Sequence, residues 1–179
     1  MKPECFFLRT AAVVCLSSQT LGGMRIRTAT VEDATGISEL ISELSKPFLL
    51  SPSGEGSEPF FASVSEAAVR GYISANNFAY LVAESSGQLA GVVAMRDNGH
   101  LFELFIAEQF QRQGLGRRLW ELVKANAIQS GNPGEFTVNS SLPAVPVYQR
   151  FGFVVQGPVV QAHGIAFQPM QWSRGQNAA

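Results

Sequence analysis

The chain has 179 residues, 46% of them hydrophobic, and a formal charge of −1, enough apolar material for one domain-sized core. With a pI near 6.1 and no basic run, it lacks the Lys and Arg excess that neutralises a phosphate polymer or grips an anionic surface, which excludes nucleic acid and membrane as partners. Cys5 and Cys15 are its only cysteines, so no disulfide framework or paired-Cys metal site organises the body of the chain; no metal is expected, and a reducing cytoplasm fits.

Residues 1–23 combine a Lys, a short apolar patch and small residues, the ingredients of a secretory signal. Arg9 breaks the patch, Ala11 to Leu16 is too short to replace it, and no A-x-A site follows. These residues are therefore read as a poorly ordered extension, with Met24 as the true or structural start. Residues 24–173 form the expected domain and 174–179 a frayed tail. No later stretch approaches the roughly 20 apolar residues of a membrane-spanning helix.

Arg25 to Thr30 alternates as a half-buried strand, and Thr30 with Asp33 supplies a helix start. Ile37, Leu40, Ile41 and Leu44 recur at helical spacing until Lys46 and Pro47 stop them. Pro52 to Pro59 reads as a loop, and Ser65 to Ala75 as a second helix. Ala79 to Glu84 and Leu89 to Met95 are strands joined by Ser85-Ser86-Gly87, an antiparallel hairpin. Asp97-Asn98-Gly99 turns the chain into His100 to Ala107, a strand apolar on both faces and therefore central. Leu115 to Ser130 is the strongest helix, striped by Leu115, Leu119, Leu122, Val123 and Ala127 and capped by Gly131. A strand over Glu135 to Asn139, a helix over Pro143 to Arg150, a strand over Phe153 to Gln156 and a last strand over Ile165 to Trp172 complete the order, with Pro169 pointing to an edge.

The informative stretch is LFIAEQFQRQGLGRRLW, in which a central strand runs through Gln111-Arg112-Gln113-Gly114-Leu115-Gly116 straight into a long helix. Gly114 and Gly116 allow close backbone approach, and the first helical N–H groups have no acceptor within the helix. Those donors and the positive end of the helix dipole suit a pyrophosphate held on amides between Gln111 and Arg117. There is no G-x-x-x-x-G-K-[ST], and no third glycine completes G-x-G-x-x-G after Arg117, so the ligand is neither a nucleoside triphosphate in a P-loop nor a dinucleotide.

Gln111, Gly114 and Gly116 match the [QR]-x-x-G-x-[GA] motif, and on that motif and its position between strand and helix the chain resembles the GNAT superfamily of N-acetyltransferases. Tyr148 to Phe153 (YQRFGF) is similar to the tyrosine and G-F turn of the same family. The resemblance covers about residues 24–172. It implies an α/β (α+β) fold, with a mixed sheet of six to seven strands flanked by about four helices. It further implies acetyl-CoA as co-substrate, its pyrophosphate on Gln111, Arg112, Gln113, Gly114, Leu115, Gly116 and Arg117, its pantetheine arm along Leu104, Phe105, Ile106 and Ala107, and Tyr148 as general acid toward the CoA sulfur. Glu108 departs from the family, where Pro is frequent, and Ser140-Ser141 to Pro146 is an unusual lead-in to Tyr148.

Acetyl transfer to a primary amine requires a proton acceptor, because an ammonium cannot attack a thioester. His100 and Glu103 are the candidates; alternation sets them on opposite faces of their strand, so one of them faces the cleft unless a bulge intervenes. Each has an ordinary alternative: His100 as a turn residue bonded to backbone, Glu103 as a buried carboxylate paired with an Arg such as Arg96. Tyr148 could equally be core beside Phe151 and Phe153. Amides near Phe105 to Ala107, if splayed from the ladder, would bind the thioester oxygen. Asn139 is either a partner of the pantetheine amides or a strand-end asparagine, and Arg112 and Arg117 either touch phosphate or solvate a helix face.

Two rival readings remain at this stage, a non-catalytic acyl-CoA-binding regulatory module and a phosphate-binding domain unrelated to CoA. The acceptor is a small-molecule or peptide amine of unspecified kind, and a homodimer is allowed. Glu55, Glu58 and Glu66 hint at a polyamine or aminoglycoside pocket, although in a Ser/Gly-rich stretch such residues more often solvate a loop, and Phe48, Phe60 and Phe61 are either an apolar lining or core.

Overall fold

The computed structural model describes residues 19–21 and 23–176. Gln19–Leu21 (β1) pairs antiparallel with Met24–Thr28 (β2), with Gly23 at φ +80° turning the chain between them. The sheet thus gains three residues from the expected extension, of which residues 1–18 and 22 lie outside the described residues. Ile26 is buried while its neighbours Arg25 and Arg27 are exposed and half-buried, as alternation in β2 requires.

The Thr30 start signal opens a 3-10 turn, Val31–Asp33, before helix α1, Ala34–Ser45. Asp33 accepts from the Thr30 N–H at 2.7 Å and from both terminal nitrogens of Arg27 at 2.7 Å each, so one carboxylate fixes the helix entry to β2. Burial and the Arg27 fork hold opposing influences on Asp33; the fork dominates, and its pKa is lowered. Pro47 sits in the 3-10 turn Lys46–Phe48 that ends this helix. The expected loop over 52–59 gives way at its end to a short helix, α2 (Glu58–Ser63), for which Pro59 in the first turn is pre-set. Helix α3, Glu66–Ser74, begins where the Ser65 hydroxyl accepts from Ala68 N–H at 3.3 Å.

Phe78–Ser85 (β3) and Gln88–Arg96 (β4) form the expected hairpin through Ser86 and Gly87, whose φ of +50° and +79° define a primed two-residue turn. His100–Ile106 (β5) follows, then Leu115–Gln129 (α4), with Gly131 at φ +96° past its end. Glu135–Ser141 (β6), Val145–Arg150 (α5), Val154–Val155 (β7), Val160–Ala162 (β8) and Ile165–Ser173 (β9) complete the fold. All nine strands among the described residues join one sheet in the order β1-β2-β3-β4-β5-β6-β9-β7, with β8 also on β9. That exceeds the expected six to seven strands, because β1 and β8 are too short to leave a periodic signal.

Pro169 does not mark an edge. Strand β9 pairs with β6 on one side and with β7 and β8 on the other. The Pro169 carbonyl accepts from Gln156 N–H at 2.8 Å, so its missing donor lies on that same side, just past the end of the β7 pairing, and the β6 ladder loses nothing.

Both faces of the sheet are covered. Leu115, Leu119, Val123 and Ala127 of α4 pack on Leu81, Val93 and Leu101, with Trp120 edge-on to Phe136 at 5.2 Å. On the other face Ile37, Ile41 and Val69 from α1 and α3 pack on Val82, Val92 and Ala94. Each such fully buried aliphatic side chain contributes about 1.5–3 kcal/mol, so β4 and β5 are the most firmly held strands. A β-carbon on Gly91 in β4 would stand 2.7 Å from Ile106 Cδ1 and 2.9 Å from the Phe105 carbonyl oxygen. Gly91→Ala should therefore destabilise the protein by about 1–3 kcal/mol, read as a lower midpoint in urea unfolding; an unchanged midpoint would contradict this close approach.

Candidate active site

Strand β5 is paired along its length with β4, from Arg96↔His100 to Gly91↔Ile106, but pairs with the parallel β6 only at His100↔Thr137 and Leu101↔Val138. Beyond Leu101 the two strands diverge. Ala107 N–H bonds Ala90 O at 3.0 Å; antiparallel alternation then turns the peptide groups of Phe105 and Glu103 toward β4 and those of Leu104 and Ile106 into the gap. Of the amides expected to be splayed, those of Phe105 and Ala107 are committed to β4. Ile106 and its neighbour Leu104 are the open ones, and the Ile106 carbonyl accepts from Gln111 Nε2 at 3.0 Å.

At the far end of this gap the chain makes the turn into α4. Arg112 at φ +58° and Gly114 at φ +81° are left-handed, and Gly114 is the N-cap. The six consecutive amides from Arg112 to Arg117 donate to no acceptor among the described residues; the first helical bond runs from Arg118 N–H to Gly114 O at 3.1 Å. A β-carbon on Gly114 would meet nothing within 4 Å, and one on Gly116 would make only ordinary contact with Ile106 Cγ1 at 3.7 Å. Packing within the chain therefore does not demand the second glycine, and the space it leaves opens on the gap.

Sequence alternation alone separates His100 from Glu103, but the register slips between Ala94 and Met95, inserting Phe102 as a bulge. Leu101 packs under α4, whereas Phe102 packs under α1 and α3 with Tyr80, so His100 and Glu103 come to the same face. Glu103 is 5% exposed, and its Oε2 accepts from the Tyr80 hydroxyl at 2.7 Å while Oε1 is buried without a partner. Burial outweighs that bond and pushes the carboxyl up to about 7. Tyr80 escaped the sequence reading because it reaches Glu103 across β4: Tyr80 pairs with Ala94, Ala94 with Glu103, and the small Ala94 lets the phenol pass over it. The expected partner Arg96 instead lies 5.3 Å over the Phe102 ring and 3.4 Å from Asp97.

His100 is not bonded to backbone; its Nδ1 is 2.8 Å from the Thr137 hydroxyl at the last joined rung of β5 and β6. Burial, then repulsion from Arg96, lowers its pKa. The Tyr148 ring stands edge-on to Phe151 and Phe153 at 6.0 and 5.6 Å, yet its hydroxyl makes no hydrogen bond among the described residues, and burial raises its pKa. Tyr148 is thus both core and site wall. Asn139 is exposed on β6. Arg117 Nη2 donates to Arg150 O at 2.6 Å and its guanidinium lies 5.2 Å over Phe151, tying α4 to the end of α5.

These groups share one cavity of about 1160 Å³. It runs from the α4 amides through the divergence of β5 and β6, past Tyr148 and Glu103, to the α1 face. There the β8–β9 turn roofs it: Leu50 N–H bonds Gly164 O at 2.9 Å, and a β-carbon on Gly164 would fall 2.5 Å from Ser57 N. Phe48 and Phe60 line this end, while Phe61 and the acidic trio Glu55, Glu58 and Glu66 do not. Glu66 is paired with Arg70 at 2.9 Å. Among the described residues no three His, Cys, Asp or Glu side chains are placed to hold a metal ion, and no helix is long and apolar enough to cross a membrane.

The family described as acetyltransferase (GNAT) domain matches residues 48–174. The chain belongs to that family. No curated protein matches it in sequence. Among solved structures, a GCN5-related N-acetyltransferase from Rhodopseudomonas palustris superposes with a TM-score of 0.70 at 20% identity, covering 87% of this chain and 98% of that one. A PaiA N-acetyltransferase from Thermoplasma acidophilum in complex with coenzyme A gives 0.67 at 19%, covering 84% and 98%. A spermidine N-acetyltransferase from Vibrio cholerae gives 0.59 at 17%, covering 86% and 95%. At these identities the likeness is one of fold, and it agrees with the strand order of this GNAT domain.

The raised carboxyl has a stability consequence in this GNAT domain. Unfolded, Glu103 titrates near 4.5, and folded near 7; between those values the native state binds the extra proton, so stability falls as pH rises and levels off above about 7. Glu103→Gln removes the titration. It should be more stable than wild type at pH 8, by on the order of 2–3 kcal/mol, with the advantage vanishing toward pH 4. A pH-independent difference in urea midpoints would refute the raised carboxyl.

Proposed function

We propose that this GNAT domain moves an acetyl group from acetyl-CoA to a primary amine. The observation that carries the proposal is the row of unbonded amides from Arg112 to Arg117, opening on a cavity that leads through the sheet to a partnerless carboxylate oxygen. A pyrophosphate suits those donors at the positive end of α4, and the Thermoplasma relative with coenzyme A in its structure supports the choice. Bound there, acetyl-CoA supplies an activated thioester carbonyl.

The chain's own groups then divide the work. Leu104 and Ile106 N–H face the gap and are placed to receive the pantetheine arm and the thioester oxygen, whose charge grows as the amine attacks. Asn139 extends the polar wall, and Arg112 is free to approach phosphate, whereas Arg117 is spent on Arg150 and Phe151. Glu103 Oε1 takes the proton from the incoming ammonium; a carboxyl near 7 is basic enough to accept it and ionised enough at neutral pH to be available. Its neighbour His100 is pinned to Thr137 with a lowered pKa, and serves as wall. The neutral nitrogen forms the new C–N bond, and as the C–S bond breaks the Tyr148 hydroxyl, kept protonated by burial, gives its proton to the departing sulfur while the nitrogen sheds its second proton, which restores the phenol. A cytoplasmic setting suits the two-cysteine composition.

Gly114→Asp puts a side chain and a negative charge on the amide row and forces an L residue into φ +81°. Acetyl-CoA affinity should fall by more than tenfold, an estimate of roughly one repelled charge at close range, measured by calorimetry on protein shown to be folded by circular dichroism; unchanged affinity sinks the loop assignment. For Tyr148→Phe, release of free thiol in the presence of amines should slow by about 10²-fold with acetyl-CoA binding nearly intact. A rate equal to wild type removes Tyr148 as the acid, and a wild-type chain that binds acetyl-CoA without ever releasing thiol is a non-catalytic module.

A further inference from the structure

The next step rests on the acyl-transfer reading and concerns the arm of the cavity beneath α1 and the β8–β9 turn. Its wall is aromatic. The rings of Phe48 and Phe105 lie 6.3 Å apart and tilted by 33°, Phe60 closes the side, and Phe102 forms the floor beside Glu103. Leu44 and Pro47 continue the apolar surface.

Charge is sparse in this arm. Glu43 and Glu103 are its carboxylates and Arg96, itself 3.4 Å from Asp97, its guanidinium, while His100 and His163 add no negative charge. With its carboxyl near 7, Glu103 is about half protonated at neutral pH, so less than two full negative charges oppose one positive. A polyamine or aminoglycoside brings several ammonium groups, each of which must exchange water for an acceptor, and burying one without a carboxylate to receive it is strongly unfavourable. The acidic residues that would suit such a ligand, Glu55, Glu58 and Glu66, stand outside the cavity. A single ammonium, by contrast, finds one unbonded oxygen waiting in Glu103 Oε1.

We infer that the acceptor is a monoamine carrying one flat apolar body, its nitrogen against Glu103 and its body against Phe48, Phe60 and Phe105. Aromatic side chains reward a flat partner beyond the area buried, while the roof at Gly164 limits the height available to a bulkier one.

The test uses the full chain with acetyl-CoA and four acceptors, phenethylamine, tryptamine, spermidine and kanamycin, followed by free-thiol release, with acetyl-CoA binding measured separately. The two aryl amines should exceed the two polycations in kcat/KM by about tenfold or more. Phe48→Ala and Phe60→Ala should each raise KM for phenethylamine by about 3–10-fold and leave acetyl-CoA affinity unchanged, a split that a merely unfolded variant does not give. Preference for spermidine or kanamycin, or acetyl-CoA binding with no turnover of either aryl amine, overturns the acceptor class and leaves the cofactor site standing. Absence of acetyl-CoA binding by the wild-type chain overturns both.

Discussion

The structure depends on a contest for β6. That strand is paired to β9 over seven residue positions, from Glu135↔Ser173 to Ser141↔Phe167, and to β5 over two. Trp120, Phe136 and Trp172 pack edge-on to one another under α4 and hold β6 and β9 as one unit. Having been claimed by β9, β6 cannot follow β5 past Leu101, and the peptide groups of Leu104 and Ile106 lose their neighbour. Their N–H groups therefore face the gap that this divergence opens, and the Ile106 carbonyl accepts from Gln111 Nε2. The α4 turn lies at the mouth of that gap because β5 runs into it within a few residues.

The same divergence sets the electrostatics. A fully layered sheet would seal Glu103 from anything polar except Tyr80; an open one would hydrate it. Here Glu103, which lines the cavity, has one carboxylate oxygen bonded to Tyr80 and the other buried without a partner among the described residues, so desolvation raises its pKa. Tyr148 stands on the opposite face with a hydroxyl that likewise has no partner among the described residues, and the cavity passes between the two through the sheet. In the proposed mechanism, proton uptake and proton donation are thereby divided between two faces, held by separate cores.

What was legible in the residues was whatever is written locally. The Gln111–Gly116 turn, the α4 stripe, the Ser86-Gly87 hairpin and the helix beginning at about Ser65 each depend on side chains within a few positions, and each stands where the pattern put it to within a residue. The bulge at Phe102 is not local, since it follows from how β4 and β5 settle against two different cores, and it changes which face His100 and Glu103 share. Tyr80 is further from view, because its meeting with Glu103 requires the register of three strands and a small residue between them. Pro169 misled because a missing donor matters only on the side where a partner needs it. The acidic loop residues left two readings open because composition records charge without recording which way a loop turns. Helix α2 was hidden in a stretch whose Ser, Gly and Pro content reads as coil.

The contact at Gly164 bears on how this fold can change its choice of acceptor. Main chain meets main chain there, between the β8–β9 turn and Gly56-Ser57, with no side chain to shorten or lengthen. The ceiling height is consequently a fixed dimension, whereas Phe48, Phe60 and Leu44 below it are free to vary in size. Divergence toward new acceptors is channelled into width and chemistry of the floor and walls, and a change of height requires rebuilding two loops together.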